Sequence, residues 1–183
     1  MPSLCGIAYT WGTTADERIR ALPCDELLPA EAMVADRAID VAARPQTLFR
    51  WLCQLQVAPY SYDWIDNLGR RSPQTLTRGL DELVSGQRFM TIFRLASWEP
   101  GRQLTLASRG NRVFGDVAVT YDIGPGRPAA SRLHVRVRWR TPRVPALRAL
   151  AASGDLVMMR KQLRTLARLA EQDERSASSP ASR

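Results

Sequence analysis

Four segments with two-residue alternation follow one another in this chain, 87–97, 103–109, 113–123 and 131–141. They are separated by Glu99-Pro100-Gly101, Arg109-Gly110-Asn111 and Gly124-Pro125-Gly126. Alternation sends successive side chains to opposite faces of a strand, and such separators reverse the chain at hairpin spacing, so the pattern predicts an antiparallel meander. The period then changes. From Pro145 to Gln172, Leu156, Met159, Leu163, Leu166 and Ala170 recur at three and four residues, the apolar stripe of a long helix lying across the sheet. The last strand sets Leu133, Val135, Val137 and Trp139 against Arg132, His134, Arg136, Arg138 and Arg140. One face is therefore expected to pack and the other to be wet, with Asp116 and Asp122 of the neighbouring strand relieving repulsion on the arginine face.

Upstream, Met33–Val41 alternates as a first strand, and Pro45 opens a helix to residue 56 with Leu48, Trp51, Leu52 and Leu55 on one stripe. Residues 1–31, with Pro2, Pro23 and Pro29 and little periodicity, read as an irregular N-terminal arm, and 73–86 as an irregular connection. The polar tail 173–183 is expected to be disordered, which leaves 32–172 as a single folded domain.

Composition excludes several classes. No window is long and apolar enough to span a membrane, and Met1-Pro2-Ser3-Leu4-Cys5 is not the start of a secretion signal, so a cytoplasmic protein is expected. Cys5, Cys24 and Cys53 are too widely spaced for a zinc site or a disulfide framework, and no metal or cofactor is expected. Cys53, between Leu52 and Leu55, reads as a small buried hydrophobe. The net charge of +8 would ordinarily raise nucleic acid as a partner. Yet of 26 basic residues only Lys161 is lysine, the mark of a GC-rich genome, and no stacking aromatics accompany the charge, so no nucleic acid is expected. Oligomeric state is not legible.

Between helix and meander lies Ala58-Pro59-Tyr60-Ser61-Tyr62-Asp63-Trp64-Ile65-Asp66-Asn67, a run of amphipathic aromatics suited to the mouth or wall of a pocket. Together with Arg44-Pro45 leading into Leu48-Phe49-Arg50-Trp51-Leu52, and with Gly154-Asp155-Leu156-Val157-Met158-Met159-Arg160-Lys161-Gln162-Leu163, this run resembles an uncharacterised bacterial branch of the SRPBCC superfamily. The superfamily includes START lipid-transfer domains, polyketide cyclases and dehydratases, and pollen-allergen-like proteins. The resemblance covers roughly 32–172. It implies an α+β helix-grip (START-like) fold, in which a curved antiparallel sheet wraps a long C-terminal helix and leaves a cavity for an apolar or aromatic small molecule. The superfamily has no universal catalytic motif, so the resemblance carries no catalytic residue onto this chain.

The expected ligand lining is Tyr60, Tyr62, Trp64, Phe89, Thr91, Phe93, Val119, Tyr121, Trp139, Met158 and Met159. The bland alternative is a filled core. Candidates for proton transfer are Asp63, Asp66, Tyr62 and Tyr121, against an alternative in which Asp63 or Asp66 caps a helix and pairs with Arg37, Arg70 or Arg71. His134 falls on the outer face and lacks the partners that base or metal chemistry needs. The leading expectation is binding of a lipid- or polyketide-like molecule. The alternatives are a cofactor-free polyketide cyclase- or dehydratase-like enzyme and, more weakly, an interaction protein using the basic strand face.

Overall fold

The computed structural model describes residues 9–62, 69–111, 115–126, 130–140 and 145–178. In chain order they form α1 (Ala15–Ile19), a 3-10 turn (Pro23–Asp25), β1 (Met33–Val41), α2 (Pro45–Cys53) and a second 3-10 turn (Gln54–Gln56). Then follow β2 (Arg88–Phe89), β3 (Phe93–Glu99), β4 (Gln103–Asn111), β5 (Gly115–Pro125), β6 (Ser131–Trp139) and α3 (Pro145–Ser178). The strands make one six-stranded antiparallel sheet in the order β1-β6-β5-β4-β3-β2, so the first strand closes against the last. Register shifts between Leu95 and Ser97 and between Ser108 and Asn111 place bulges in β3 and β4, and bulges bend a sheet. The curved sheet holds α3 on its concave face, where Leu163, Leu166, Leu169 and Ala170 pack fully buried with Leu48, Leu52 and Leu55. This is the expected α+β helix-grip arrangement.

The segment read as one strand over 87–97 is two. Met90 and Thr91 take φ of 41° and 66°, the Met90 amide donates to the Leu55 carbonyl at 2.9 Å, and the chain folds back so that Phe89 faces Phe93. Alternation persists through the turn, which is why the sequence conceals it. The tail expected to be disordered over 173–183 is instead helical as far as Ser178. Its carboxylates find partners across the helix pair: Trp51 Nε1 donates to Asp173 at 2.9 Å, and the Thr47 hydroxyl and Arg44 Nε each donate to Glu174 at 2.6 Å. Glu174 thereby caps the start of α2, whose N-cap, Arg44, supplies no side-chain cap of its own.

The outer face is the larger correction. Except at Arg140, it is not wet, because the N-terminal arm lies on it and engages Arg132, Arg136 and Arg138. Arg136, 4% exposed, uses all five of its N–H groups. Nε donates to Asp36 at 2.9 Å, Nη1 to the Arg20 carbonyl and Asp25, and Nη2 to the carbonyls of Glu17 and Arg18. Arg138 reaches the carbonyls of Asp25, Leu28, Pro29 and Ala30, and Arg132 grips Glu17 bidentately at 2.7 and 3.0 Å. Asp122 pairs with Arg20. His134, expected to be exposed, is 1% exposed and holds Asp36 at 2.8 Å through Nε2. The basic strand face is thus an internal interface, which removes the reading of it as a surface for RNA or another partner.

The arm begins at the free edge of β1, where Thr10 and Trp11 bridge to Asp36 and Arg37. Gly12 turns it outward at φ 74°, and a Cβ there would lie 2.2 Å from the Ala38 carbonyl oxygen, so only glycine fits.

Two outcomes follow for the arm. Arg136→Ala leaves Asp36 buried without its main counter-charge, so stability should fall by about 3–5 kcal/mol in urea denaturation while amides 15–30 lose exchange protection. An unchanged denaturation midpoint would contradict the packing described. The second concerns acid. Burial pushes the Glu17 carboxyl up, but the Arg132 hydrogen bonds, the Thr14 amide and the Arg132 charge outweigh it and hold the pKa at about 2 instead of 4.5. A carboxylate depressed in the folded state contributes stability that is complete above about pH 4.5 and is lost as pH falls toward 2. Glu17→Gln should flatten the stability curve in that window, measured by thermal melts against pH.

Candidate functional site

The concave face is built in rows, since residues directly opposite on neighbouring antiparallel strands share a face. One row runs Arg37, Val135, Tyr121, Leu104, and the next runs Ala35, Val137, Val119, Leu106. The first is sealed, each residue being at most 0% exposed, and it lies in the half of the interior filled by the helix stripe from Leu163 to Ala170. A third row, Met33, Trp139, Val117, is more open: Met33 and Val117 are only partly buried, as are Leu156 and Met159 on α3. The interior therefore grades from solid core to looser packing toward the N-terminal half of α3.

Three polar side chains interrupt this apolar floor. Tyr121 donates its hydroxyl to Gln162 Oε1 at 2.8 Å, and Gln162 Nε2 donates to the Pro59 carbonyl at 2.7 Å with Met90 Sδ at 3.3 Å. One glutamine of α3 thus ties together the sheet, the aromatic segment and the β2–β3 turn. Arg37, fully buried in the same row as Tyr121, donates Nη1 to the Asp36 carbonyl at 3.1 Å. The sequence reading treated Arg37 only as a pairing partner for Asp63 or Asp66, and missed that its parity with Met33, Ala35, Ile39 and Val41 places it on the inner face. Gln162 was missed altogether, because a helix position one residue off the apolar stripe carries no signal of its partner.

Two residues around this junction have unusual backbone. Tyr60, at φ 56°, is buried edge-on against Trp51 with ring centroids 6.0 Å apart, and Met90 has φ 41°. Left-handed conformations of bulky residues cost of order 1–3 kcal/mol and persist only where the surroundings enforce them. Both flank the Gln162 amide. Outside Tyr60 lies a cleft of about 160 Å³ between α3 and the segment that follows α2, lined by Tyr60, Ser61, Ser72, Gln74, Lys161, Thr165 and Arg168. A second, of about 210 Å³, lies on the outer face between the arm and β4–β5. Both are smaller than the roughly 300 Å³ at which ordinary small-molecule sites begin.

The structure scatters the expected lining. Tyr60, Phe89 and Tyr121 are buried in the sealed core; Phe93, Val119, Trp139 and Met159 lie on or against the concave face; Tyr62 and Met158 are half-buried. Thr91 is exposed in the β2–β3 turn and leaves the set, because the left-handed turn rotates it off the inner face. Trp64, Asp63 and Asp66 lie outside the described residues. Cys53 is fully buried, and burial pushes its thiol up to about 12 and that of Cys24 to about 11, so neither forms a thiolate near neutrality. Among the described residues no three His, Cys, Asp or Glu side chains gather as a metal site, and no helix is long and apolar enough to cross a membrane.

No family model matches the chain, and no curated protein does. Solved structures share its fold. A Thermobifida fusca protein determined by NMR is similar with a TM-score of 0.54 and 11% identity, over 76% of this chain and 93% of that one. A Nitrosomonas europaea protein is similar with a TM-score of 0.53 and 12% identity, over 80% and 98%. A START superfamily protein from Mycobacterium smegmatis is similar at 18% identity and a TM-score of 0.46, over 79% and 98%. Identities this low speak to fold alone. The two scores above 0.5 agree with the gripped helix on an antiparallel sheet, and the chain has the helix-grip fold.

Proposed function

We propose that the protein binds a hydrophobic or aromatic small molecule, lipid- or polyketide-like, between the sheet and the N-terminal half of α3. The observation that carries this reading is Trp139. Its side chain lies on the concave face at 7% exposure, and its indole N–H meets no acceptor among the described residues. A buried donor left unmade costs about 1–3 kcal/mol, which an acceptor on a bound molecule would offset. The neighbours suit such a guest. Met33, Val117, Leu156 and Met159 present partly buried apolar surface around the indole, and unbranched thioethers adapt to variable shapes. Phe93 and Val119 extend this surface along the sheet, whereas Phe89 and Tyr121 belong to the filled half.

The cyclase-like alternative depends on Asp63 and Asp66, outside the described residues, and on Tyr121, whose hydroxyl is engaged by Gln162. No observation favours it over binding.

Uptake of an apolar fluorescent dye tests the reading. The wild-type protein should take up dye at one site. Val117→Trp should abolish uptake while circular dichroism stays native. Trp139→Phe, which keeps the ring and removes the N–H, should weaken carbonyl-bearing dyes by about tenfold or less and leave hydrocarbon dyes unchanged. Absence of dye uptake by the wild-type protein would refute the proposal.

A further inference from the structure

The cleft outside Tyr60 is chemically unlike the interior. Lys161, Thr165 and Arg168 recur at four and three residues and so form one stripe of α3, turned away from the core stripe and toward Ser61, Ser72 and Gln74. Arg168 is held in place by neutral groups, Nη2 donating to Gln74 Oε1 at 2.8 Å and Nη1 to Gln172 Oε1 at 3.0 Å. Gln74 is itself anchored, Nε2 donating to the Ser72 carbonyl at 3.0 Å. The guanidinium is therefore oriented without being neutralised. Lys161, whose carbonyl receives the Thr165 hydroxyl, carries its ammonium free at the same opening, with no carboxylate paired to either cation among the described residues.

Among the other basic residues, Arg20, Arg44, Arg132, Arg136 and Arg140 each meet a carboxylate, Arg94 reaches the Gly86 carbonyl, and Arg160 and Arg164 lie over the Trp11 ring. The cleft joins an oriented fork of donors and a compact ammonium. That is the donor chemistry which recognises a carboxylate or a phosphate. Its size also discriminates. At about 30 Å³ per water, 160 Å³ holds roughly five waters, enough for an anionic headgroup but not for a long apolar chain as well. The way inward is polar at first, because Gln162 is adjacent to Lys161 in α3 and hydrogen-bonds Pro59 beside Tyr60.

We propose that this cleft is an anion site that takes the carboxylate or phosphate of an acidic amphiphile whose apolar body lies between sheet and helix. This rests on the ligand-binding reading above and assigns the class of ligand. The headgroup sits between Lys161 and Arg168, and the chain runs inward past Tyr60 and Gln162.

The single lysine makes the test specific. Reductive ¹³C-methylation of the intact protein labels only Lys161 and the terminal amine, so one side-chain signal reports on the cleft. Dodecyl phosphate should displace an apolar dye and shift that signal together. Dodecanol should displace the dye without shifting it. In unlabelled protein, Lys161→Gln with Arg168→Gln should cut affinity for dodecyl phosphate about tenfold or more at low salt while sparing dodecanol, since both residues are exposed and the fold does not depend on them. Equal affinity for the charged and neutral chains, unchanged in the double variant, would overturn the headgroup site and leave the apolar cavity standing. A signal shifted by inorganic phosphate as readily as by dodecyl phosphate, with no dye displaced, would overturn the amphiphile and reveal a site for a free anion. No shift with any anion would overturn the cleft as a site.

Discussion

A guanidinium enclosed by protein must have acceptors for its N–H groups, and the outer half of this molecule is arranged around that requirement. Arg136 uses five donors and Arg138 reaches four carbonyls, almost all of them supplied by the arm between Glu17 and Ala30. The arm, read from the sequence as irregular, can supply them partly because it holds a short helix. Glu17, Arg18 and Arg20 lie at the C-terminal end of α1, where carbonyls lack helical partners, while Leu28, Pro29 and Ala30 lie outside any helix or strand. Asp36, shared between His134 and Arg136, extends the same network to β1 and ties the first strand to the last.

With the outer face covered by the arm and the concave face by α3, an interior ligand has to pass at an edge. On the proposed reading that edge is the one by Tyr60, where the cationic cleft lies outside and Gln162 bridges three elements within. Beneath the C-terminal half of α3 the packing is solid, as Leu163, Leu166 and Ala170 at 0% exposure show. A close-packed core resists deformation. The ligand-binding reading therefore places adaptable methionines and Trp139 at the opposite end, where the packing loosens.

How far the sequence could be read depended on whether a residue's partner was solvent, a neighbour in pattern, or something remote. The inner face of β6 was legible, since Leu133, Val135, Val137 and Trp139 alternate and must be covered. The outer face was misread for a definite reason: alternation reports which residues share a side, but an arginine is equally at home beside water or beside four peptide carbonyls. The β2–β3 turn escaped because Met90 and Thr91 hold a conformation usually reserved for glycine, imposed by packing and by the bond to Leu55. The α3 terminus ran past its expected end because Asp173 accepts from the Trp51 indole and Glu174 caps the start of α2, both more than a hundred residues earlier. Of the expected lining, the hydrophobic members could be placed by parity, while Arg37 and Gln162 became visible only through their neighbours.

By itself the sequence determined the antiparallel meander and the long helix that follows it, because hydrophobic periodicity is a local property set by backbone geometry; the curvature of the sheet came only as what the resemblance implied. The sequence also determined that Cys53 is an inert core residue. Only the tertiary structure decided which polar groups are satisfied and by whom: the arm beneath the arginines, the glutamine joining three segments, the indole N–H on the concave face that meets no acceptor among the described residues. Hydrogen bonds and ion pairs join residues a hundred positions apart, and no periodicity along the chain encodes that distance.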